Sequence, residues 1–292
     1  MDIRQLSYFV TVVNEGTITA AAKALHMSQP PLSTQIQLLE KEFGVPLFDR
    51  GTRQIRLTEA GRTFYLRACS ILDLCASVKN EMEDIQAGAG GTMRLGIASS
   101  LCGFVTARWL RPFCRSHANI RIQIYEDDTY HLLEKVRTNQ AELAFVRTPF
   151  AAADLNIVRL RRESLYAVGL PGFFQAGTDH PAEAVSLEDL AKMPLILYRR
   201  WEQILADTFT KSGLKPNFFC VNDDARTTLH MAESGLGVGI VPHSTLLRTD
   251  SLTARQIHCQ DLQSDICVVF RNDTYISQAA RHFLKWTQKD GE

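Results

Sequence analysis

The stretch Ala20–Gly61, AAAKALHMSQPPLSTQIQLLEKEFGVPLFDRGTRQIRLTEAG, predicts two short helices joined by a tight turn and followed by a strand-turn-strand wing. The first helix is indicated by small apolar side chains at helical spacing, namely Ala20, Ala21, Ala24 and Leu25. We expect the second helix to begin at about Gln29, with Ser28 as an N-cap whose side chain accepts a backbone N–H of the next turn. Pro30 and Pro31 then fall in the first turn, where helix N–H groups have no partner in any case.

The second helix of this stretch has one apolar face and one polar face. Its apolar stripe recurs at helical spacing and consists of Leu32, Ile36, Leu39 and Phe43. The opposite face holds uncharged hydrogen-bonding side chains, namely Gln29, Ser33, Thr34 and Gln37, with Gln35 near its edge. Such side chains bind base edges as well as phosphates. Any amphipathic helix has a polar face, so it is the order of parts, ending in an arginine-bearing wing, that predicts a DNA-binding surface.

The positive charge of the chain is local rather than global. Lysines plus arginines number 32 and aspartates plus glutamates also number 32, so the net charge does not indicate binding of nucleic acid. Arginines nevertheless cluster in the wing and just after it, with Glu59 as the acid among them, at Arg50, Arg53, Arg56, Arg62 and Arg67. This local patch favours contact with the phosphate backbone or the minor groove of duplex DNA.

These residues resemble the winged helix-turn-helix of the LysR-type transcriptional regulators, whose signature is matched by AA-K-L-SQP-LS-QI-LE-FG-LF-R-R-LT-AG. Pro31 stands where that family more often has alanine, a variation that leaves the start of the helix plausible. The resemblance implies a sequence-specific regulator that binds double-stranded promoter DNA and acts on RNA polymerase. We expect the DNA contacts to come from Thr17, Thr19, Ser28, Gln29, Pro30, Pro31, Ser33, Thr34, Gln37, Arg50, Arg53 and Arg56.

A long helix is predicted from Thr58 to the glycine-rich linker Gly88–Gly91. Its apolar residues alternate between steps of about four and three, the seam of a coiled coil, at Phe64, Ala68, Ile71, Cys75, Val78, Met82 and Ile85. The seam predicts a homodimer, although the same stripe could pack on the chain's own core. At about 1.5 Å per residue the helix would be roughly 40 Å long. The resemblance implies that this linker helix pairs two DNA-binding domains and that dimers assemble into a homotetramer.

Beyond the linker, strand and helix patterns alternate, as is typical of parallel α/β architecture. The fold class we predict is an α+β winged helix-turn-helix with a long linker helix, followed by an α/β effector-binding domain of two subdomains. The boundaries we expect are 1–58 for the DNA-binding domain, 59–91 for the linker helix and hinge, and 92–292 for the regulatory domain. Within the last, subdomain I takes 92–162 and 265–292, and subdomain II takes 163–264. The resemblance implies a fold like that of periplasmic binding proteins.

Polar residues follow the predicted strands, at the edge where ligands bind in open α/β sheets. A hydroxyl pair at a helix N-terminus, together with an arginine, suits a small anion such as a carboxylate. Ordinary helix caps and a surface arginine would give the same pattern, but Arg147 ends a strand and is expected to face the cleft. The resemblance agrees, since the family takes its co-inducer there. The expected effector contacts are Ser99, Ser100, Thr129, Arg147, Thr148, Tyr198 and Arg199.

Three alternatives concern the signal and the class of protein. Cys102 follows Ser99 and Ser100 at a predicted helix start, a position that lowers a thiol pKa, so the same regulator could sense oxidants. A solute-binding protein without a DNA role would explain the second half of the chain alone. An enzyme is not expected, because the glycines of SGLGVG, from Ser234 to Gly239, follow a helix and precede a strand, the reverse of a dinucleotide fingerprint.

The remaining composition predicts a cytoplasmic protein without a cofactor or a metal. The N-terminus MDIRQLSYFV has neither a basic region followed by an apolar run nor enough apolar residues to span a membrane. The seven cysteines contain no C-x-x-C pair, which points to reduced thiols. The eight histidines are scattered without the spacing of metal ligands, and His131 near Ser99 lacks the pattern of a catalytic base.

Overall fold

The structure is a computed structural model and describes residues 1–49, 55–87, 91–174, 184–246, 251–259 and 261–289. These residues form two compact units. The first comprises Met1–Ala87, here called the N-terminal unit, together with Arg137–Gln140. The second, the C-terminal unit, comprises the rest of the described residues. Within the described ranges no helix is long and apolar enough to cross a membrane.

The N-terminal unit contains four helices, α1 (Ile3–Glu15), α2 (Ile18–Ala24), α3 (Gln29–Phe43) and α4 (Glu59–Ala87), in its described residues. Helix α1 starts with a capping box between Asp2 and Gln5, and it ends at Gly16, whose φ of 69° is easily adopted by glycine. The expected cap on α2 is confirmed, since Thr17 Oγ1 accepts the N–H of Ala20 at 3.1 Å. Phe48 and Leu57 form an antiparallel bridge at the base of the wing.

The start of α3 confirms the predicted position of the N-cap but not its hydrogen bond. Ser28 has extended backbone angles and α3 begins at Gln29, yet the Ser28 side chain makes no capping hydrogen bond. An N-cap oxygen accepts the N–H of the second or third helical residue. Those residues are Pro30 and Pro31, which have no N–H to donate. The prediction of a capping bond was therefore wrong, and the hydroxyl is left at an exposed position.

The core of the N-terminal unit is built from α1, α2, α3 and the first turns of α4. Phe9 is fully buried and contacts the rings of Phe48 and Phe64, with centroids 5.1 and 4.8 Å away. The α3 stripe packs here as predicted through Leu32, Ile36 and Leu39, whereas Phe43 is 42% exposed. This packing buries one face of α3 and leaves its polar face in solvent.

The predicted seam of α4 divides into two parts. Phe64 and Ala68 pack on the core of the N-terminal unit, which was the alternative to a dimer seam. Farther along, the apolar side chains are exposed: Ile71 by 38%, Val78 by 52% and Met82 by 55%. The side chain of Ile85, and Gly88 to Gly90 of the predicted linker, lie outside the described residues. Pairing through the exposed part of the stripe stays a prediction.

The C-terminal unit alternates strands and helices as predicted. Its first half contains β1 (Gly91–Ala98), α5 (Cys102–Val105), α6 (Arg111–Ser116), β2 (Ile120–Asp127), α7 (Thr129–Arg137), β3 (Leu143–Arg147) and β4 (Asn156–Gly169). A π-helical turn, Thr106–Leu110, joins α5 to α6. The rest contains β5 (Ala184–Val185), α8 (Leu187–Leu190), β6 (Pro194–Tyr198), α9 (Glu202–Lys211), β7 (Asn217–Asn222), α10 (Ala225–Glu233), β8 (Val238–Pro242), β9 (Thr253–Ile257), β10 (Gln263–Phe270) and α11 (Gln278–Lys289).

The strands run in the order β2-β1-β3-β10-β4-β8-β6-β7, with β9 paired to β4 and β5. Strands β1, β2 and β3 are parallel, as are β6, β7 and β8, while β4 and β10 run antiparallel to their neighbours. Two separate cores result, one around β1 to β3 and one around β6 to β8. We call the part of the unit around β1, β2 and β3 lobe 1, and the part around β6, β7 and β8 lobe 2. The two-lobed α/β fold is as predicted, and the short strands β5 and β9 were not foreseen.

Strands β4 and β10 connect the two lobes. On β4, Leu160 belongs to the lobe 1 core and Leu165 to the lobe 2 core. On β10, Leu262 just before the strand lies in lobe 2 and Ile266 in lobe 1. The residues between these pairs therefore occupy the crossing point, where the chain passes from one core to the other.

Candidate functional site

The polar face of α3 is displayed as predicted. Gln29, Thr34 and Gln37 are exposed, and Ser33 is half-buried. Thr19 on α2 donates its hydroxyl to Gln29 Oε1 at 3.4 Å, which places these two predicted contacts side by side. Gln35, at the edge of the face, instead accepts a hydrogen bond from Gln5 Nε2 at 3.1 Å and is turned towards α1. The resulting surface offers amide and hydroxyl groups without a carboxylate in its first two turns.

The remaining predicted DNA contacts flank this surface. Pro30 and Pro31 are exposed in the first turn of α3, and Thr17 is half-buried because its hydroxyl caps α2. Arg56 is exposed, and its carbonyl accepts the N–H of Asp49 at 2.9 Å across the base of the wing. Arg50 and Arg53 lie outside the described residues. The described contacts form a helix face bordered by the Phe48–Leu57 bridge at the base of the predicted wing.

The second candidate site is a cavity of about 470 Å³ between the two lobes. Lobe 1 contributes Asp128 and Tyr130 at the start of α7 and Pro149 after β3. Lobe 2 contributes residues at the carboxyl ends of its strands, namely Tyr198, Arg199, Arg200 and Asp223. The cavity thus lies where ligands bind in open α/β sheets.

The structure brings only part of the predicted effector set to this cavity. Tyr198 and Arg199 line it. Five others are absent from its lining: Ser99, Ser100, Thr129, Arg147 and Thr148. Ser100 and Thr129 are buried, with exposures of 6% and 2%, and Thr148 accepts the N–H of Asp265 at 2.8 Å. Thr148 thereby fixes the backbone near the crossing point, and ligand contact by Ser99, Ser100 and Thr129 stays a prediction.

Arg147 requires the largest correction, because its side chain is fully buried instead of facing the cleft. It forms an ion pair with Glu163 on β4 and donates hydrogen bonds to Ser100 at 3.4 Å, Ser264 at 3.2 Å and Ser244 at 2.9 Å. Burial is the largest cause, and the positive charge of Arg200 the second, of the lowering of the pKa of Arg147 to about 9. Strand β3 ends beside the crossing point, so its last side chain enters the space between the cores. We call these five residues the hinge cluster.

Arg199 and Arg200 are neighbours with different surroundings. Arg199 is exposed and its guanidinium is paired with Asp223 at 2.5 Å and with Glu202 at 3.8 Å. Arg200 is half-buried and has no ion pair to a carboxylate among the described residues. The charge of Arg199 is therefore balanced by its own neighbours, and that of Arg200 is not.

The guanidinium of Arg200 is held by main-chain oxygens. Its Nη2 donates to the carbonyls of Arg147 and Pro149, the latter at 3.1 Å. Its Nε is buried and has no hydrogen-bond partner in the described part of the chain. Burial lowers the pKa of Arg200, partly offset by the nearby Tyr198, Tyr130 and Asp128. The sequence prediction missed Arg200. The signal that could have found it is that two arginines, and not one, follow Tyr198 at the end of β6.

An exposed ion pair borders the cavity at the start of α7. His131 Nδ1 lies 2.6 Å from Asp128 Oδ2 and 3.4 Å from Asp127 Oδ1. The hydrogen bond that His131 donates to Asp128, together with the charges of Asp128 and Asp127, raises the pKa of His131. Protonated His131 therefore donates its Nδ1–H to the Asp128 carboxylate.

We expect the pKa of His131 measured by NMR titration to lie above its ordinary value and to fall towards that value in Asp128→Asn. A raised pKa in the folded state means that charged His131 contributes stability at pH values below its unfolded pKa. That contribution is lost as the pH rises through the folded pKa. An unchanged titration in Asp128→Asn would contradict the assignment, and His230→Gln serves as a control at another exposed ion pair.

A further ion pair joins the two lobes beside the cavity. Arg226 on α10 lies 2.6 Å from Glu126 on β2 and 2.5 Å from Asp224, which caps α10. The hydrogen bond to Asp224 is the largest cause of the raised pKa of Arg226. The pair to Glu126 therefore crosses from lobe 2 to lobe 1.

Removing this contact should have a small effect. We expect a double-mutant cycle of Arg226→Gln and Glu126→Gln, followed by urea unfolding, to give a coupling energy of about 0.2–1 kcal/mol. The energy is limited because the side chains are 51% and 32% exposed, and it should decrease with added salt. A coupling indistinguishable from zero at low salt would show that the pair does not hold the lobes together.

Cys102 lies beside Glu126, the carboxylate of lobe 1 that pairs with Arg226. Burial raises the pKa of its thiol, and so do the charge of Glu126 and a hydrogen bond to it. The thiolate, which is the nucleophile that reacts with oxidants, is therefore disfavoured, contrary to the environment expected from a helix start. All seven cysteines lie within described ranges, and none of them forms a disulfide.

Comparisons with known proteins cover both units. The family model "Bacterial regulatory helix-turn-helix protein, lysR family" matches residues 3–62, and "LysR substrate binding domain" matches residues 86–291. The HTH-type transcriptional regulator BsdA of Bacillus subtilis (strain 168) is 30% identical over 294 residues, 97% of this chain and 99% of the relative. BenM of Acinetobacter baylyi is 30% identical over 258 residues, 84% of this chain and 81% of the relative.

Solved structures agree with the family models. The crystal structure of full-length CbnR complexed with its target DNA is 25% identical, covers 100% of both chains and has a TM-score of 0.73. The likeness extends over both units, and the matched helix-turn-helix contains the exposed polar face of α3. The chain belongs to the LysR family of bacterial helix-turn-helix proteins and is a DNA-binding transcriptional regulator with a substrate-binding domain.

Proposed function

We propose that this regulator is controlled by a small anion, a molecule that carries a carboxylate, bound in the cavity between the lobes. The observation that carries the proposal is Arg200, a half-buried cation that lines the cavity without a carboxylate partner among the described residues. A guanidinium has five N–H donors in a fork that matches a carboxylate. The unpartnered Nε of Arg200 is one of these donors, so an anion would satisfy both its charge and its hydrogen-bonding capacity.

The rest of the cavity lining suits a compact acid. Its volume of about 470 Å³ lies within the range of small-molecule sites, roughly 300–1,000 Å³. Tyr130 and Tyr198 supply aromatic surface and hydroxyl groups, and Tyr198 is half-buried. Because Arg199 is already paired with Asp223, we assign anion recognition to Arg200 and give Arg199 and Tyr198 supporting positions.

On the DNA side we propose a division of labour on the surface of the N-terminal unit. Gln29, Ser33, Thr34 and Gln37 would read base edges in the major groove, beside Thr19. Ser28 would bind a phosphate, because the prolines that follow it offer no N–H for its hydroxyl to accept in a capping hydrogen bond. The wing arginines, including Arg50 and Arg53, would supply affinity that does not depend on sequence.

The assembly we propose is a homodimer joined through the exposed apolar stripe of α4, with further association into a tetramer. Ile71, Leu74, Val78 and Met82 are exposed at helical spacing, and burying them against a second copy would remove this apolar surface from water. Such a dimer would act on promoter DNA and on RNA polymerase in the cytoplasm, where bacterial DNA lies.

Thermal unfolding of the purified protein tests the anion proposal. The panel contains inorganic phosphate, mono-, di- and tricarboxylates, aromatic acids and amino acids. An acid present at about 100 times its Kd should stabilise the unit that binds it by roughly 2.7 kcal/mol, and Arg200→Gln should abolish the shift. The control is Arg281→Gln, because Arg281 also donates to a carbonyl, that of Ile276 at 2.8 Å, but lies on α11. The proposal fails if none of the acids stabilises the protein, or if Arg200→Gln responds as the wild type does.

A further inference from the structure

We propose that Arg200 couples occupancy of the cavity to the contact between the two lobes, a role that rests on the proposed function. Arg200 belongs to lobe 2, two residues after the end of β6, yet its Nη2 donates to two carbonyls of lobe 1, at the last residue of β3 and two residues beyond it. The same guanidinium lines the cavity. One side chain therefore touches both the space for a ligand and the main chain that leads into the hinge cluster.

The hinge cluster gives this contact a consequence for both lobes. Arg200 binds the carbonyl of Arg147, and the side chain of Arg147 is fully buried against residues of both lobes. It reaches Ser100 in lobe 1 and Ser244 in lobe 2, and it pairs with Glu163 on the crossing strand β4. Glu163 in turn accepts the N–H and the hydroxyl of Ser244, at 2.8 and 3.1 Å. Because these groups are closely packed, a displacement of the Arg147 carbonyl would also displace the other residues of the hinge cluster in both lobes.

An anion would compete for the guanidinium. A carboxylate carries the opposite charge and accepts two parallel N–H bonds from one guanidinium, whereas the present acceptors are the neutral carbonyls of Arg147 and Pro149. The planar fork of arginine directs its donors rigidly. Turning two donors towards a carboxylate in the cavity therefore loosens at least one carbonyl contact. Arg200 would have two arrangements, one that ties lobe 2 to the end of β3 and one that holds the ligand.

The experiment compares DNA binding by full-length proteins without any acid present. The DNA is a fragment selected by the wild-type protein from a random library, and the readouts are affinity and the DNase I footprint. Arg200→Gln removes the carbonyl contacts, so we expect it to change affinity by about 5-fold or more and to alter the footprint in the absence of ligand. Arg281→Gln, the control described above, should match the wild type.

The second step adds the acid that stabilises the wild type most, at equal concentration for all variants. Arg200→Lys keeps the charge but cannot span both carbonyls with a rigid fork. We expect it to retain part of the stabilisation by the acid while its footprint no longer responds to it. Arg200→Lys also replaces Arg200→Gln in the ligand-free comparison if the latter does not fold.

The outcomes separate this inference from the proposed function. If Arg200→Gln loses stabilisation by the acid but binds DNA as the wild type does without ligand, Arg200 is only a ligand contact and the coupling is wrong. If no acid binds the wild type while Arg200→Gln still changes the footprint, the anion proposal fails, and the link from Arg200 to the hinge cluster is supported.

Discussion

Arg147→Met is expected to lower the free energy of unfolding of the C-terminal unit by about 3–5 kcal/mol, the cost of breaking a buried ion pair by removing one partner. Glu163 has a side chain only 2% exposed and would be left buried without its counter-charge. Ser100, Ser264 and Ser244 would each lose the hydrogen bond they accept from the guanidinium. Urea unfolding followed by circular dichroism measures the loss.

Two further variants show whether the cause is the uncompensated charge. The double variant Arg147→Met/Glu163→Leu removes both charges and should recover much of the loss, because apolar replacement of a whole buried pair is often neutral or stabilising. Arg162→Met is the matched control, since Arg162 lies one residue before Glu163 and pairs with Asp265 at 2.8 Å, but is 65% exposed. Its cost should stay below about 1 kcal/mol. A loss for Arg147→Met as small as that of Arg162→Met would restore Arg147 as a ligand contact.

Arg147 and Arg200 show why the cleft was predicted only in part. Both arginines come at or just after the end of a strand, and the local sequence is equally suited to anion binding at each. Their environments differ because β3 ends beside the crossing point of β4 and β10, where its side chain is enclosed by two cores. That enclosure depends on residues far along the chain, such as Ser244 and Ser264. A pattern read over a few residues carries no information on it.

The helix-turn-helix was predicted in more detail than the cleft, because most of the residues that determine it are close together in sequence. Helical spacing, the Thr17 cap and the Gly16 stop lie within a few residues of the features they control. The one local error concerns the capping hydrogen bond of Ser28. It arose because only the tolerance of the first helical turn for proline was considered. The prolines also remove the N–H donors on which the cap depends.

Helix α4 illustrates a limit of a different kind. One apolar stripe was expected to have one partner, but Phe64 and Ala68 pack on the chain's own core while Val78 and Met82 are exposed. The spacing of apolar residues indicates that a face must be covered. It does not indicate what covers each part, because both partners require the same chemistry.

Gln29→Ala is expected to reduce discrimination between the selected DNA site and an unrelated sequence by about 1–3 kcal/mol, the worth of a good side-chain contact to a base edge. Gln29 is exposed at the first position of α3 and its Oε1 accepts a hydrogen bond from Thr19 at 3.4 Å, which orients the amide. Removing the amide should weaken binding to the selected site far more than to the unrelated one. The measurement is the Kd for both DNAs by fluorescence anisotropy.

Arg56→Ala is the matched comparison on the same surface. Arg56 is exposed at the base of the wing and its main chain is fixed by the hydrogen bond to Asp49. Loss of a phosphate contact should weaken binding to both DNAs alike and reduce the salt dependence, the slope of log K against log salt, by about 1. Gln29→Ala should leave that slope unchanged. If both substitutions reduce discrimination equally, base reading and phosphate binding are not divided between α3 and the wing, and the wing itself enters a groove to read sequence.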